Sequence, residues 1–94
     1  MYASVRRYKT KSNSEFTRRV QEEFVPLISR VRGFVAYYGI EAGADVWASV
    51  SVFDTQAGAE ESNRVAAEWV KKTAASLVGQ PDVTAGNVVV HKVR

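Results

Sequence analysis

The chain has 94 residues, a formal net charge of +3 at pH 7 and no cysteine. Its length predicts one domain, residues 1–94, with a single modest core, and its 46% of apolar residues is typical of a folded chain. The lack of cysteine excludes disulfides, thiolate metal sites and a cysteine nucleophile. Since the chain has only one histidine as well, we expect no transition-metal site.

Basic residues are spread among acidic ones, apart from one cluster near the start of the chain. We expect no nucleic-acid partner, because no pattern of interleaved aromatic and basic residues accompanies the charge. The opening residues, MYASVRRYK, contain no apolar run of the length that a signal peptide or a membrane helix needs. We therefore expect a cytoplasmic protein that does not contact a membrane.

The first two predicted elements are a strand and a helix. Residues 2–9 suit a strand, because they include Val and Tyr and lack Gly and Pro. Ser12 is spaced from Glu15 as in a capping box, which predicts the start of a helix. Apolar residues then recur at steps of three and four, so the helix is predicted to continue to Arg32.

A proline interrupts this helical pattern. Because Pro26 lacks an N–H group and clashes with the preceding turn, we expect a kink or short break near Phe24 and Val25. Gly33 is expected to end the helix in the left-handed conformation. Residues 33–41 then predict the second strand.

The second half of the chain repeats the pattern. Residues 46–53 predict a third strand, joined to the second as a hairpin through a short polar turn. Asp54 or Thr55 is expected to cap a second long helix that reaches Leu77, and residues 83–93 close the chain as a fourth strand. Two ion pairs are expected on this helix, Glu60 with Arg64 and Glu68 with Lys72.

The element order is β-α-β-β-α-β, which predicts an α+β, ferredoxin-like antiparallel sheet with both helices on one face. The second strand is apolar on both of its faces, with either Val35 and Tyr37 or Phe34 and Tyr38 turned away from the helices. An uncovered apolar surface of that kind usually marks an interface. We therefore predict a homodimer in which two sheets pack around a twofold axis into a barrel.

Two passages resemble the antibiotic biosynthesis monooxygenase-like domains of the dimeric α/β-barrel superfamily. They are RVRGFVAYYGIEAG and VWASVSVFDTQAGAEESNRVAAEWV, and the resemblance covers nearly the whole chain. It implies an enzyme that oxidises a small aromatic or polyketide-type molecule without a cofactor. Since members of the superfamily also include proteins with no assigned activity, the alternative is a non-catalytic ligand-binding or structural dimer.

The resemblance also implies site residues. In the cofactor-independent oxygenases, an Asn and a Trp of the second helix region hold a phenolic substrate together with Tyr and Arg from the strands. Here the corresponding types are Asn63 and Trp69, whose spacing of six predicts side chains on different sides of the helix. Haem-degrading relatives use a His close by on that helix, whereas His91 lies on the last predicted strand, so haem is not expected.

The charged candidates allow two interpretations each. His91 titrates near neutrality, which makes it either the proton acceptor of the site or a partly exposed edge residue. Arg6 and Arg7 are adjacent on a central strand, so each points to a different face of the sheet. In the enzyme interpretation one of them orients an anionic oxygen; otherwise a carboxylate such as Glu41 or Asp54 accepts from it.

The aromatic candidates are also open to two interpretations. Trp69 either fills space between helix and sheet or lines a ligand cavity. Trp47 shares its strand with the small residues Ser49 and Ser51, which either pack closely or leave room for a bound molecule. Tyr37 would complete the apolar wall of a site, or serve as a core or interface aromatic residue.

Overall fold

The computed structural model describes all 94 residues and has the predicted ferredoxin-like architecture. The four strands form one sheet in the order β2-β3-β1-β4, and all neighbouring strands are antiparallel. The elements are β1 (Tyr2–Lys9), α1 (Asn13–Arg19), a first π-helical segment (Val20–Phe24), α2 (Val25–Ile28), β2 (Phe34–Glu41), β3 (Val46–Phe53), α3 (Gln56–Trp69), a second π-helical segment (Val70–Ala74) and β4 (Asp82–Asn87).

The first helical region begins as predicted and ends earlier. The Ser12 hydroxyl accepts a hydrogen bond from the Glu15 N–H at 3.3 Å. The π-helical segment ends at Phe24, two residues before Pro26, which confirms the predicted break. Helix α2 stops at Ile28 instead of Arg32 because the chain turns there.

Gly33 connects this turn to the sheet. Its φ angle of 86° lies in the left-handed region that glycine adopts without strain. The Gly33 carbonyl accepts from the Asp54 N–H at 2.8 Å, so the entry to β2 is tied to the exit from β3.

The second helix begins as predicted and differs from the prediction in two details. Of the two expected capping residues, Thr55 is the cap, since its hydroxyl accepts from the Gly58 N–H at 3.1 Å. The helical region ends at Ala74, short of Leu77. Of the two predicted ion pairs only that between Lys72 and Glu68 forms, because Arg64 pairs with Glu61 and Glu68 instead of Glu60.

The last strand is shorter than predicted. β4 ends at Asn87, and the following Val88 N–H makes one more bond to the Met1 carbonyl at 2.9 Å. We call residues 88–94 the C-terminal segment. The prediction that His91 lies on a strand is wrong, because the segment runs past the sheet and no strand of the same chain pairs with its later residues.

A bulge in β2 decides which of its side chains face the helices. The register between β2 and β3 shifts between Phe34 and Ala36. The bulge places Phe34 and Tyr37 on the same side, packed against the core, which neither predicted alternation anticipated. The opposite side carries Tyr38, which is 58% exposed.

The two faces of the sheet are therefore very different. On the helix side, the core contains twelve buried apolar residues that include Phe16, Trp47 and Phe53. The other side, which we call the open face, exposes Val5, Tyr38 and Ile40 by 40% or more in the single chain. No helix has the length and apolar character that crossing a bilayer would require.

Candidate functional site

Arg6 is the most unusual residue of the helix side. It lies in the middle of β1 between two paired strands, and only 2% of it is exposed. Its Nη1 donates to Asn63 Oδ1 at 2.5 Å and its Nη2 donates to Ser51 Oγ at 3.2 Å. No carboxylate pairs with it, so the expectation of a partner such as Glu41 or Asp54 is wrong. A buried guanidinium with only neutral acceptors retains an uncompensated charge.

The acceptor on α3 is shared. Asn63 Oδ1 also accepts from Ser4 Oγ at 2.8 Å, so two side chains of β1 donate to a single amide oxygen of α3. The spacing argument that separated Asn63 from Trp69 fails, because Asn63 bonds to the sheet and Trp69 is buried against Phe16 and Phe24. Positions 63, 66 and 69 advance in steps of three along the broad sheet-facing side of α3.

A very small void lies next to the guanidinium. Its volume is about 10 Å³, roughly that of one water position. The buried Nε1 atom of Trp69, a residue that lines the void, has no hydrogen-bond partner. We call this region the Arg6 pocket, and it is lined by Arg6, Tyr8, Phe16, Val20, Phe24, Tyr37, Trp47, Ala66 and Trp69.

Aromatic rings close the Arg6 pocket. The Phe16 and Trp47 rings meet edge to face with centroids 4.9 Å apart, and the Phe24 and Tyr37 rings do so at 5.6 Å. The Arg6 guanidinium lies 5.8 Å from the centre of the Phe24 ring, within range of a cation–π interaction. The interior between helices and sheet is therefore filled by side chains, and any ligand that reaches Arg6 must displace some of them.

Burial keeps the two tyrosines of the pocket protonated. It raises the pKa of Tyr37 to about 12, against the opposing effect of the Arg6 charge. Burial also raises the pKa of Tyr8, again opposed by Arg6. At neutral pH both phenols are available as hydrogen-bond donors, and neither can act as a base.

A larger opening adjoins the pocket. It has a volume of about 380 Å³ between the first helical region and β2, and it shares Val20, Tyr37 and Trp47 with the Arg6 pocket. We call it the cleft; its remaining lining residues are Thr17, Gln21, Val25, Gly39 and Glu41.

The cleft wall is held by a chain of hydrogen bonds. Trp47 Nε1 donates to Thr17 Oγ1 at 2.9 Å, and Thr17 Oγ1 donates to Glu41 Oε2 at 2.6 Å. Gly39 lets the indole lie directly on the β2 backbone, since a β-carbon there would be 2.6 Å from Trp47 Cη2. The Trp47 ring is thus fixed between the cleft and the Arg6 pocket.

The structure brings together five of the seven candidate side chains. Arg6, Tyr37, Trp47 and Trp69 line the Arg6 pocket, and Asn63 bonds to Arg6. Arg7 is exposed on the open face, and His91 is exposed in the C-terminal segment; neither lines the pocket or the cleft. His, Asp and Glu side chains form no group of three or more that could hold a metal ion.

Sequence reasoning missed several partners of these residues. Ser4 and Ser51 bond to the same cluster as Arg6, and Thr17 orients Trp47. One signal was present in the sequence: the serines at alternate positions of β3, Ser49 and Ser51, indicate polar contacts on a buried face. Thr17 left no such signal, since a threonine on a helix is ordinary.

The raised pKa of Tyr37 predicts a change of stability at high pH. Between about pH 10 and 12 the folded state keeps a proton that the unfolded state releases, so the free energy of unfolding falls as the pH rises through this window. Urea unfolding at pH 8 and pH 11 should show this loss in the wild type and a loss smaller by about 1 kcal/mol in Tyr37→Phe. Tyr38→Phe, at the exposed neighbouring position, is the control and should behave as the wild type does. Equal losses in Tyr37→Phe and the wild type would contradict the assignment.

Comparison with known proteins supports the architecture. No protein-family profile and no curated protein sequence matches the chain. Among solved structures, the NE2512 protein of unknown function from Nitrosomonas europaea aligns with a TM-score of 0.82 at 18% identity, over 99% of this chain and 93% of that one. SnoaB, a cofactor-independent oxygenase from Streptomyces nogalater, aligns with a TM-score of 0.74 at 12% identity, over 96% and 94%.

The matches also include a Streptomyces coelicolor monooxygenase from the gene ActVA-Orf6, solved in complex with nanaomycin D. It aligns with a TM-score of 0.76 at 10% identity, over 99% of this chain and 91% of that one. Another matched structure is described as a dimeric ferredoxin-like protein. The expected resemblance to monooxygenase-like domains is confirmed at the level of the fold, and the chain shares its ferredoxin-like architecture with oxygenases and with proteins of unknown function alike.

Proposed function

We propose that this protein is a cofactor-independent oxygenase that acts on a small aromatic or polyketide-type molecule carrying an ionisable oxygen. The observation that carries the proposal is the buried Arg6 guanidinium, which has two neutral acceptors and no carboxylate. A substrate oxygen that ionises next to it would supply the missing negative charge. Oxygenases with the same fold support this choice.

The cleft offers room for the ring system of such a substrate. Its volume of about 380 Å³ is within the range of small-molecule sites. The substrate ring would lie against Trp47, and its oxygen would enter between Tyr37 and Trp47 toward Arg6. Tyr37, which remains protonated, and the unpartnered Trp69 N–H would donate hydrogen bonds to that oxygen.

The chemistry then depends on the substrate's own reactivity. Arg6 stabilises the phenolate or enolate, and the electron-rich anion reduces molecular oxygen. For an anthrone, the methylene group becomes a carbonyl: two C–H bonds break, one oxygen atom forms the ketone, and the other leaves with both hydrogens as water. The protein contributes positive charge, hydrogen-bond donors and a site that excludes water.

A second candidate rests on the size of the void beside Arg6. A space of about 10 Å³ admits no substrate without movement of the aromatic rings, and this favours a non-catalytic ligand-binding or structural dimer. In that case the Arg6 cluster would bind an anionic aromatic molecule weakly or serve as a polar element of the core.

We also propose that the protein is a homodimer in which the open faces of two copies pack together into a barrel. The support is the apolar character of this face, where Val5, Tyr38 and Ile40 are each exposed by 40% or more. A matched structure described as a dimeric ferredoxin-like protein is consistent with this assembly. Light scattering at micromolar concentration should give the mass of two chains.

Oxygen uptake with anthrone tests the enzymatic proposal. The wild type should consume one molecule of oxygen per anthrone converted to anthraquinone, and Arg6→Met should lower the rate by about 100-fold, as loss of an oxyanion-stabilising donor does. Arg30→Met, at an exposed position away from the site, is the matched control and should retain the wild-type rate.

Two outcomes separate the candidates. Uptake at background level across anthrones and electron-rich phenols, with saturable quenching of tryptophan fluorescence by the same compounds, would favour the ligand-binding protein. Oxygen uptake by Arg6→Met at the wild-type rate would remove Arg6 from the mechanism.

A further inference from the structure

The proposed oxygenase reaction needs a group that removes a proton from the substrate, and the residues around Arg6 do not supply one. Burial keeps Tyr8 and Tyr37 protonated by raising the pKa of each, so neither phenol can accept a proton at neutral pH. Arg6 itself carries a positive charge. His91 lies in the C-terminal segment, outside both the Arg6 pocket and the cleft. A base within the protein therefore has to come from the rest of the cleft lining.

Glu41 is the only carboxylate that lines the cleft. It is the last residue of β2, and it faces the cleft together with Tyr37 and Gly39, which precede it at alternate positions of the strand. No Lys, Arg or His side chain pairs with this carboxylate. The Thr17 hydroxyl donates to Glu41 Oε2 at 2.6 Å, and Oε1 has no partner within the protein. The carboxylate is therefore held in place by one oxygen and keeps the other oxygen free to accept a proton.

We propose that Glu41 is the catalytic base, which takes a proton from the substrate carbon that is oxidised while Arg6 holds the substrate's anionic oxygen. This inference rests on the proposed function. For an anthrone, a C–H bond of the methylene group breaks and its proton goes to Glu41 Oε1. The electron pair of that bond moves into the ring system and leaves the negative charge on the oxygen beside Arg6.

The same carboxylate balances the protons of the later steps. Glu41 returns the first proton to the peroxide that forms when the anion reacts with molecular oxygen. It then takes the second C–H proton as the O–O bond breaks, and the electron pair of that C–H bond forms the carbonyl group. Glu41 gives this proton to the departing hydroxide, so the products are one ketone and one water molecule.

The positions of the two charged groups agree with these roles. In anthrone the carbonyl oxygen and the methylene carbon lie across the central ring from each other. A substrate whose oxygen enters toward Arg6 therefore presents its methylene group to the outer part of the cleft. Glu41 lies there, four residues beyond Tyr37 and about 13 Å further along β2. It pairs across the strands with Trp47, the ring against which the substrate would lie.

Deuterium exchange at the anthrone methylene group tests this assignment. Proton NMR in buffered D₂O under nitrogen measures proton removal without any reaction with oxygen. The wild type should accelerate the exchange above the rate in buffer, and Glu41→Gln should lower the protein-catalysed rate by about 100-fold. Glutamine keeps an oxygen that can accept from Thr17, so the position of Trp47 should not change. Glu60→Gln, at an exposed position of α3 outside the cleft, is the matched control and should exchange as the wild type does.

The outcomes separate this assignment from the enzymatic proposal. Equal acceleration by Glu41→Gln and the wild type overturns the role of Glu41, because another group then removes the proton. Oxygen uptake by the wild type without any accelerated exchange overturns it as well and leaves the oxygenase intact. Accelerated exchange that is lost in Glu41→Gln, with oxygen uptake at background level, supports Glu41 as the base and removes the oxygenase. The absence of both exchange and oxygen uptake overturns both proposals.

Discussion

Replacing Arg6 with methionine should stabilise the fold, by about 1 to 2 kcal/mol, while it removes the proposed activity. A buried charge without an opposite charge loses several kcal/mol of hydration, and its hydrogen bonds to neutral acceptors return only part of that. Methionine has a similar length and fits among the aromatic rings around the guanidinium. Urea unfolding at pH 7 measures the change, and a loss of more than about 2 kcal/mol would show that Arg6 is a net stabilising residue.

Substitutions of Asn63 should act in two opposite directions. Asn63→Leu takes away the 2.5 Å acceptor and leaves the guanidinium with one weak bond to Ser51, so we expect a loss of about 3 kcal/mol. Asn63→Asp places a carboxylate where the amide oxygen was. It should therefore be more stable than Asn63→Leu and should weaken the binding of anionic aromatic ligands, because the charge of Arg6 is then neutralised internally.

These opposed expectations link stability to function. A chain under selection for stability alone has little reason to keep an arginine in the centre of its sheet, whereas a site that binds an anion needs one. If Arg6→Met is both more stable and inactive, the guanidinium is there for its ligand. If Asn63→Asp leaves ligand binding unchanged, the ligand does not interact with this charge.

The sequence was sufficient for the element order and therefore for the topology. Apolar periodicity, the Ser12 cap and Pro26 are local signals; the structure confirms the two helical regions, the Ser12 cap and the interruption before Pro26, whereas the periodicity overestimated where both helical regions end. Strand ends were less predictable: residues 88–93 have every local property of a strand, yet β4 ends at Asn87 because no strand of the same chain lies beside them. A β-strand requires a neighbouring strand to pair with, and the local sequence does not show whether one is present.

The candidate site was predictable only in part. Arg6, Trp47 and Trp69 were identifiable because large or charged side chains on a central strand or an apolar stripe must find partners. The side of the sheet that Tyr37 faces could not be predicted, because the bulge between Phe34 and Ala36 breaks the alternation on which the prediction relied. The prediction that Asn63 and Trp69 lie on different sides of the helix failed for a similar reason, since two residues six apart on a helix can both contact a broad sheet.

Gly39→Ala should destabilise the protein by about 2 kcal/mol through overpacking against one ring. The added β-carbon would lie 2.6 Å from Trp47 Cη2 and 2.7 Å from Cζ2, so the indole must move and its bond to Thr17 must weaken. The backbone at Gly39 has a negative φ, so alanine introduces no conformational strain there. The cost therefore arises from the contact between these two side chains alone.

A double-mutant cycle can isolate that contact. Trp47→Phe removes the ring atoms that the new methyl group would meet, so the Gly39→Ala substitution should cost at least 1 kcal/mol less in the Trp47→Phe background than in the wild type. Gly86→Ala, where a β-carbon meets nothing within 4 Å, is the matched glycine control and should change the free energy of unfolding by less than about 0.5 kcal/mol. Additive effects in the cycle would mean that the indole does not rest on β2. The wall between the cleft and the Arg6 pocket, on which the proposed binding mode depends, would then be absent.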